Sequence, residues 1–210
     1  MDADRQRALG MYRRHARDYD RWTAWAEPVR RMTVERLRLK RGDVALDVGC
    51  GTGLNFGAIE EAIGPEGRLV GIELSPDMLG MAQERVELEG WQNVSLLQSA
   101  VEDADIPLEA DGVLFCFTHD ILRSPESLDN VFRHVHGGGR VAAAGPKWAP
   151  WWAVSVNACV WWVAGRYVTT FEGLERPWSH LARFVPDLSV EPLYFGGGYI
   201  AWGTVPVEVA

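Results

Sequence analysis

The sequence predicts a single α/β domain built on a doubly wound, mostly parallel sheet, and three observations predict it. The apolar pattern switches repeatedly between short strand-like runs and helical three-and-four spacing, which is the mark of alternating strands and helices. The connections between these runs are short, so successive strands should lie parallel with right-handed crossovers. The last two strand-like runs, residues 188–195 and 199–205, are separated only by Gly196-Gly197-Gly198. No helix fits between them, so they should form an antiparallel hairpin at one edge.

Each element can be read in turn. Leu9, Tyr12, Ala16 and Tyr19 fall three or four apart, giving an amphipathic helix over residues 4–22. Pro28 suits a first helical turn and opens a second helix to about Leu39. Gly42-Asp43 turns the chain into strand one, Val44-Ala45-Leu46-Asp47-Val48. Leu54, Ala58, Ile59, Ala62 and Ile63 form a helix that Gly64-Pro65 stops. Strand two covers 68–73, and Ser75-Pro76 caps and opens the helix that ends near Gly90. Residues 93–98 read as strand three and 112–117 as strand four. Ser124-Pro125 starts a helix carrying Leu128, Val131, Phe132 and Val135, with Gly137-Gly138-Gly139 ending it and 140–144 forming strand five. Residues 1–41 then make a helical cap and 42–210 the main domain, with a tryptophan-rich helical insert near 147–185.

Composition narrows the class. A length of 210 residues, 47% hydrophobic and 24% charged, suits one globular domain with a sizeable core. The first dozen residues are polar and lack an apolar stretch, so no secretory leader is expected. Cys50, Cys116 and Cys159 form no CxxC pair and no histidine cluster, which argues against a disulfide framework and a zinc site and suits a cytoplasmic location. The net charge of −8 divides into +6 over residues 1–41 and −14 over the remainder. The basic segment reads either as a solvated helix face or as an arm that meets an anionic partner, while the acidic body disfavours nucleic acid.

The most informative stretch is Leu46-Asp47-Val48-Gly49-Cys50-Gly51-Thr52-Gly53. A glycine-rich turn between a buried strand and a helix lets a ligand lie on bare backbone and aims helix amides at it. The dinucleotide spacing GxGxxG fails, because its third glycine would fall on Leu54 or Phe56. What remains is D-x-G-x-G-x-G, followed 24 residues after Gly49 by Glu73, whose carboxylate at the end of strand two can accept from both hydroxyls of a ribose. Residues 43–146 resemble the cofactor domain of class I S-adenosylmethionine-dependent methyltransferases. The resemblance implies a Rossmann-like, seven-stranded sheet ordered 3-2-1-4-5-7-6 with strand seven antiparallel. It also implies S-adenosylmethionine as cofactor, with Asp47, Gly49, Gly51 and Gly53 in the loop that holds the methionine end. Glu73 resembles the ribose-binding acid, Met78 a residue near the adenine, and Ala100-Val101 the pair beside it, although Ser99 stands where an Asp is common. Cys50, Leu74 and Phe117 complete the implied cofactor contacts.

Chemistry should occur beyond the carboxyl ends of the strands. Strand four delivers Phe117, Thr118, His119 and Asp120 there. His119 is the candidate general base if the acceptor must lose a proton, or else a structural histidine closing the strand. The Asn/Asp-Pro-Pro-aromatic run of base-methylating enzymes is missing, and Asp129-Asn130 lies before strand five, not after it, so no metal is implied. Trp148, Trp151, Trp152, Trp161 and Trp162 place five of ten tryptophans in fifteen residues, and no charge occurs from Trp151 to Ala164. That run is too short to span a bilayer. It reads as a core helix or dimer contact, a lid over an apolar acceptor, or a transient membrane contact. With Tyr12, Tyr19 and Trp22, it resembles the phosphatidylethanolamine and ubiquinone/menaquinone methyltransferase type. On that resemblance Tyr19 packs over the cofactor, and Tyr12, Trp22 and Trp152 face a hydrophobic small-molecule or lipid acceptor. The competing expectation is a non-catalytic protein that keeps the cofactor pocket and binds a membrane surface. The sequence leaves the oligomeric state open.

Overall fold

The computed structural model describes residues 19–165 and 167–207. Residues 19–23 are helical and lead through a 3-10 turn, Ala24–Ala26, into α1, Glu27–Leu37. The order that follows is β1 (Val44–Val48), α2 (Phe56–Ile63), β2 (Arg68–Glu73), α3 (Pro76–Glu89), β3 (Val94–Gln98) and β4 (Ala110–Cys116). The chain continues through α4 (His119–Leu122), α5 (Pro125–Phe132), β5 (Val135–Pro146), α6 (Val154–Ala164), β6 (Ser189–Leu193) and β7 (Gly198–Thr204). The helix expected over 4–22 lies outside the described residues except for its last turn.

The seven strands form one sheet ordered β3-β2-β1-β4-β5-β7-β6, with β7 antiparallel to both neighbours and the first five strands parallel. This is the predicted order. Both faces are covered, and the period of two along each strand shows it. Leu46, Val48, Val113 and Phe115 join one core with Leu128 and Val131 of α5. Ala45, Leu114 and Cys116 join the other with Val34 and Leu37 of α1 and Ile59 and Ile63 of α2. Ser75 caps α3, its Oγ accepting from Met78 N at 3.4 Å, and Pro76 opens it, as the sequence indicated.

Two expectations need correction. Gly137-Gly138-Gly139 does not end a helix: α5 stops at Phe132, and β5 runs from Val135 straight through the glycines. The pairing of β5 with β4 explains this, since Val135 partners Ala110, Arg140 partners Gly112, and the irregularity between them is taken up by the glycines. A Cβ on Gly139 would stand 2.5 Å from Val135 Cγ1, a contact only glycine avoids. The second concerns one of the three alternatives for the tryptophan-rich run, the core helix: α6 joins neither core of the sheet, only a small cluster with Leu174. Only Val160 and Ala164 are buried on it, and Trp161 and Trp162 are 62% and 55% exposed. None of the described helices is long and apolar enough to cross a membrane.

Candidate active site

The glycine loop sits between β1 and α2, fastened to β2 by Gly49 N and Cys50 N, which donate to Ile72 O at 2.8 and 3.0 Å. Beneath it lies Asp47, fully buried, whose two carboxylate oxygens accept from Asn55 Nδ2 at 3.2 and 3.0 Å. Burial pushes the Asp47 carboxyl up to about 7, against the opposing pull of the Asn55 bonds and the Arg30 charge. The loop is also tied to the entry segment. Thr52 Oγ1 donates to Asp20 at 2.6 Å, and Arg85 bridges Asp20 (2.6 Å) and Thr52 O (3.0 Å). That network fixes the helical turn carrying Tyr19 against the loop, and nothing in the local sequence announces it.

A cavity of about 440 Å³ opens above the loop. Of the residues singled out for a cofactor, Tyr19, Gly49, Gly51, Glu73, Leu74, Met78, Ala100, Val101 and Phe117 line it. Glu73 holds its floor: Oε2 accepts from Gly51 N at 3.1 Å and Oε1 from Ser75 N at 2.7 Å. Burial raises the Glu73 carboxyl above its ordinary range, and the amides of Ser75, Gly51 and Leu74 counter that. Each carboxylate oxygen retains a lone pair for a further donor. Asp47, Cys50 and Gly53 do not line the cavity. Asp47 supports the loop from below, Cys50 packs toward Gly71, and a Cβ on Gly53 would stand 2.8 Å from the Phe56 ring. Ser99, the departure from the usual pattern, does line it.

A second cavity, of about 590 Å³ and mainly apolar walls, lies between the 19–30 segment, the ends of β4 and β5, α6 and the β6–β7 turn. Four residues border both cavities: Tyr19, Phe117, His119 and Tyr167. The entry segment and the tryptophan helix therefore do meet on one side of the sheet, at the strands' carboxyl ends. Phe117 takes a left-handed backbone, φ 61°, at the exit of β4, which costs roughly 1–2 kcal/mol for a residue with a Cβ. The Tyr19 and Tyr167 rings meet edge to face at 5.6 Å, and Trp25 stands edge-on to both Phe117 (6.2 Å) and Tyr194 (6.0 Å).

His119 sits at the start of the short α4 and is 4% exposed. Its Nε2 stands 3.0 Å from Glu172 O, which assigns the proton to Nε2, and its buried Nδ1 has no hydrogen-bond partner among the described residues. Burial holds the imidazole below its ordinary range. Trp22 and Trp152 are exposed and border neither cavity, and Tyr12 lies outside the described residues. The tryptophans that line the second cavity are Trp25, within the 3-10 turn Ala24–Ala26, and Trp162 of α6. Tyr167 and Arg30 also escaped the sequence reading; both are placed by long-range packing. A third depression, about 790 Å³ beside α2, shares only Gly53 with the glycine loop and none of the strand ends. Among the described residues no group of three or more His, Cys, Asp or Glu side chains converges as metal ligands.

Residues 45–139 match the family model described as a methyltransferase domain. Over that span, somewhat under half of its length, the chain is similar to a methyltransferase domain. A demethylmenaquinone methyltransferase of Anoxybacillus flavithermus (strain DSM 21510 / WK1) is 33% identical over 104 residues, covering 50% of this chain and 39% of the relative. The protein of the same name in Symbiobacterium thermophilum (strain DSM 24528 / JCM 14929 / IAM 14863 / T) is 26% identical over 217 residues, covering 90% and 82%. The crystal structure of an S-adenosylmethionine-dependent methyltransferase from Aquifex aeolicus shares the fold, with TM-score 0.60 and 20% identity over 84% of this chain and 89% of that one. The chain spans about two-fifths of the length of the first curated relatives it matches. The matched span of the methyltransferase domain contains the glycine loop, Glu73, the 100–101 pair and the Phe117–His119 exit of β4. The cofactor of such domains is S-adenosylmethionine.

Proposed function

We propose that this chain transfers a methyl group from S-adenosylmethionine to a hydrophobic small-molecule or lipid-type acceptor by in-line displacement. The observation that carries the proposal is the pair of cavities, one floored by a carboxylate and a glycine loop, the other apolar, meeting at Tyr19, Phe117, His119 and Tyr167. The cofactor fits the first. A Cβ on Gly51 would meet only Met78 Cε, at 3.5 Å, so that glycine borders open space rather than packed side chains. Gly49 and Gly51 would hold the methionine end, Glu73 the ribose hydroxyls, and Leu74, Met78, Ala100 and Val101 the adenine. Asp47, Cys50 and Gly53 support that loop without touching the ligand. The bound cofactor supplies a methyl group on a positively charged sulfur, already activated for transfer.

What the protein adds is position. Tyr19, Phe117 and Tyr167 surround the junction, exclude water and align the acceptor. Alignment of this kind is worth roughly 7–11 kcal/mol in the best intramolecular cases. His119 holds its proton on Nε2 through Glu172 O, so Nδ1 keeps a lone pair. Its lowered proton affinity keeps the ring neutral near pH 7, ready to take the acceptor's proton where there is one. The body's acidic balance and the apolar wall both disfavour a nucleic-acid acceptor, and relatives named for demethylmenaquinone agree with an apolar one. Exposed Trp151, Trp152, Trp161 and Trp162 would let the chain touch a membrane surface transiently while remaining cytoplasmic. We assign residues 1–41 as the cap and 42–210 as the catalytic domain, with its insert near 147–185.

Incubation with trideuteromethyl-labelled S-adenosylmethionine and an extract of apolar metabolites should yield S-adenosylhomocysteine and one product carrying the labelled methyl, detected by mass spectrometry. His119→Gln should keep cofactor affinity and lower turnover by about 10²–10⁴ if a proton must leave. Cofactor binding without any labelled product or S-adenosylhomocysteine would identify a non-catalytic binding protein instead.

A further inference from the structure

Arg30, on α1, is 4% exposed and is the one charged side chain among the described residues lining the 590 Å³ cavity. Its Nη1 donates to Thr23 O at 3.0 Å, and its guanidinium carbon stands 5.6 Å from the centre of the Phe117 ring. Among the described residues no carboxylate forms an ion pair with it, whereas Arg31, Arg36, Arg41, Arg85, Arg123 and Arg183 each have one. A guanidinium offers five N–H donors in a rigid planar fork, and among the described residues one of them is engaged, by the backbone carbonyl of Thr23. Burying such a cation without a paired carboxylate is costly, and beyond the Phe117 ring the apolar wall returns little for it. The arrangement is complementary to a negative charge that arrives with a ligand.

The position of Arg30 fixes where that charge must lie. Phe117, on which Arg30 rests, borders both cavities, so the cation stands beside the junction and not at the outer mouth. Its field is felt there: the Arg30 charge acts to lower the proton affinities of Tyr19, Asp47 and Cys116. We infer that Arg30 binds an oxyanion of the acceptor, and that the acceptor is a hydrophobic molecule carrying one anionic oxygen group close to the atom that takes the methyl. The shared chemistry is a planar, delocalised oxyanion, either a carboxylate or a ring-borne oxygen, each matched by the guanidinium fork. This rests on the acceptor cavity proposed above.

The test uses two matched pairs of ligands and an uncharged fluorescent reporter, N-phenyl-1-naphthylamine, in the full chain. 1-Naphthoate is compared with 1-naphthamide, and 2,4-dinitro-1-naphtholate with its methyl ether, each displacing the reporter. In the wild type at least one anion should displace it at a concentration about tenfold or more below its neutral partner, the range for hydrogen bonds to a charged group. Arg30→Met should abolish that preference while leaving reporter affinity and S-adenosylhomocysteine affinity within about threefold. Arg30→Lys should restore part of it, which a merely structural role at Thr23 would not do. A preference confined to naphthoate identifies a carboxylate, and one confined to the naphtholate a ring oxygen. No preference in either wild-type pair, no reporter binding, or an undiminished preference in folded Arg30→Met overturns the inference. Calorimetry with S-adenosylhomocysteine separates the two levels, since its failure in the wild type sinks the methyltransferase reading and leaves the anion preference to be judged alone.

Discussion

Gly51 and Gly53 share a left-handed backbone, φ 57° and 76°, yet a side chain would do different harm at each. At Gly51 the new Cβ enters the donor cavity, whereas at Gly53 it strikes Phe56 at 2.8 Å. Gly51→Val should therefore abolish S-adenosylhomocysteine binding by calorimetry with a modest stability loss of about 1–2 kcal/mol from backbone strain. Gly53→Val should lower stability by roughly 2–4 kcal/mol from strain plus overpacking, with weaker binding following from the damage. Equal losses of affinity at equal stability would refute the distinction. The acid–glycine spacing and Glu73 were readable because a loop and a strand end are local features. The His119 tautomer was not, because its partner Glu172 lies 53 residues away. Trp25 could not be told from Trp22 until the 3-10 turn that carries Trp25 was known.

Among the elements, α6 and β5 show opposite limits of pattern reading. The uncharged run from Trp151 marked α6 as unusual, and the structure shows it as a helix with most of its apolar side chains outside any core. Trp151 and Trp161 border neither cavity, so they can be altered without touching the acceptor wall. The double variant Trp151→Ser/Trp161→Ser should partition into phosphatidylcholine vesicles at least about tenfold less well than the wild type, since the interface rewards each buried apolar side chain by one or more kcal/mol. Sedimentation with vesicles reads this directly, and unchanged partition would remove these side chains from any membrane contact. In β5 the glycine triplet masks a strand, because glycine ordinarily punctuates helices. Only the pairing of Val135 with Ala110 reveals that the chain there is already in the sheet. The parallel strands β1, β2 and β4 were legible because burial on both faces leaves near-continuous apolar runs.

At the scale of the molecule, the strand order and the antiparallel β7 followed from the alternation, the terminal hairpin and the family resemblance together. The acceptor cavity did not, since it is made by four segments that no local pattern connects. A ligand that binds only the folded chain must stabilise it, so S-adenosylhomocysteine at about 100 times its Kd should add about 2.7 kcal/mol and raise Tm by several degrees. NAD at the same concentration should leave Tm unchanged, and a shift with NAD alone would contradict the failed GxGxxG spacing. The sheet order also has a consequence in time. Every wall of the donor cavity has left the ribosome once Thr169 emerges, but the acceptor cavity waits for Gly198. Until β7 is made through Thr204, the edge of β5 from Arg140 to Pro146 lacks its partner in this sheet, because β7 follows the sheet's other six strands in the chain and must enter between β5 and β6. The nascent chain thus presents a bare, largely uncharged strand edge for the whole interval in which the insert is synthesised, which is the period when it is most open to pairing with a neighbour.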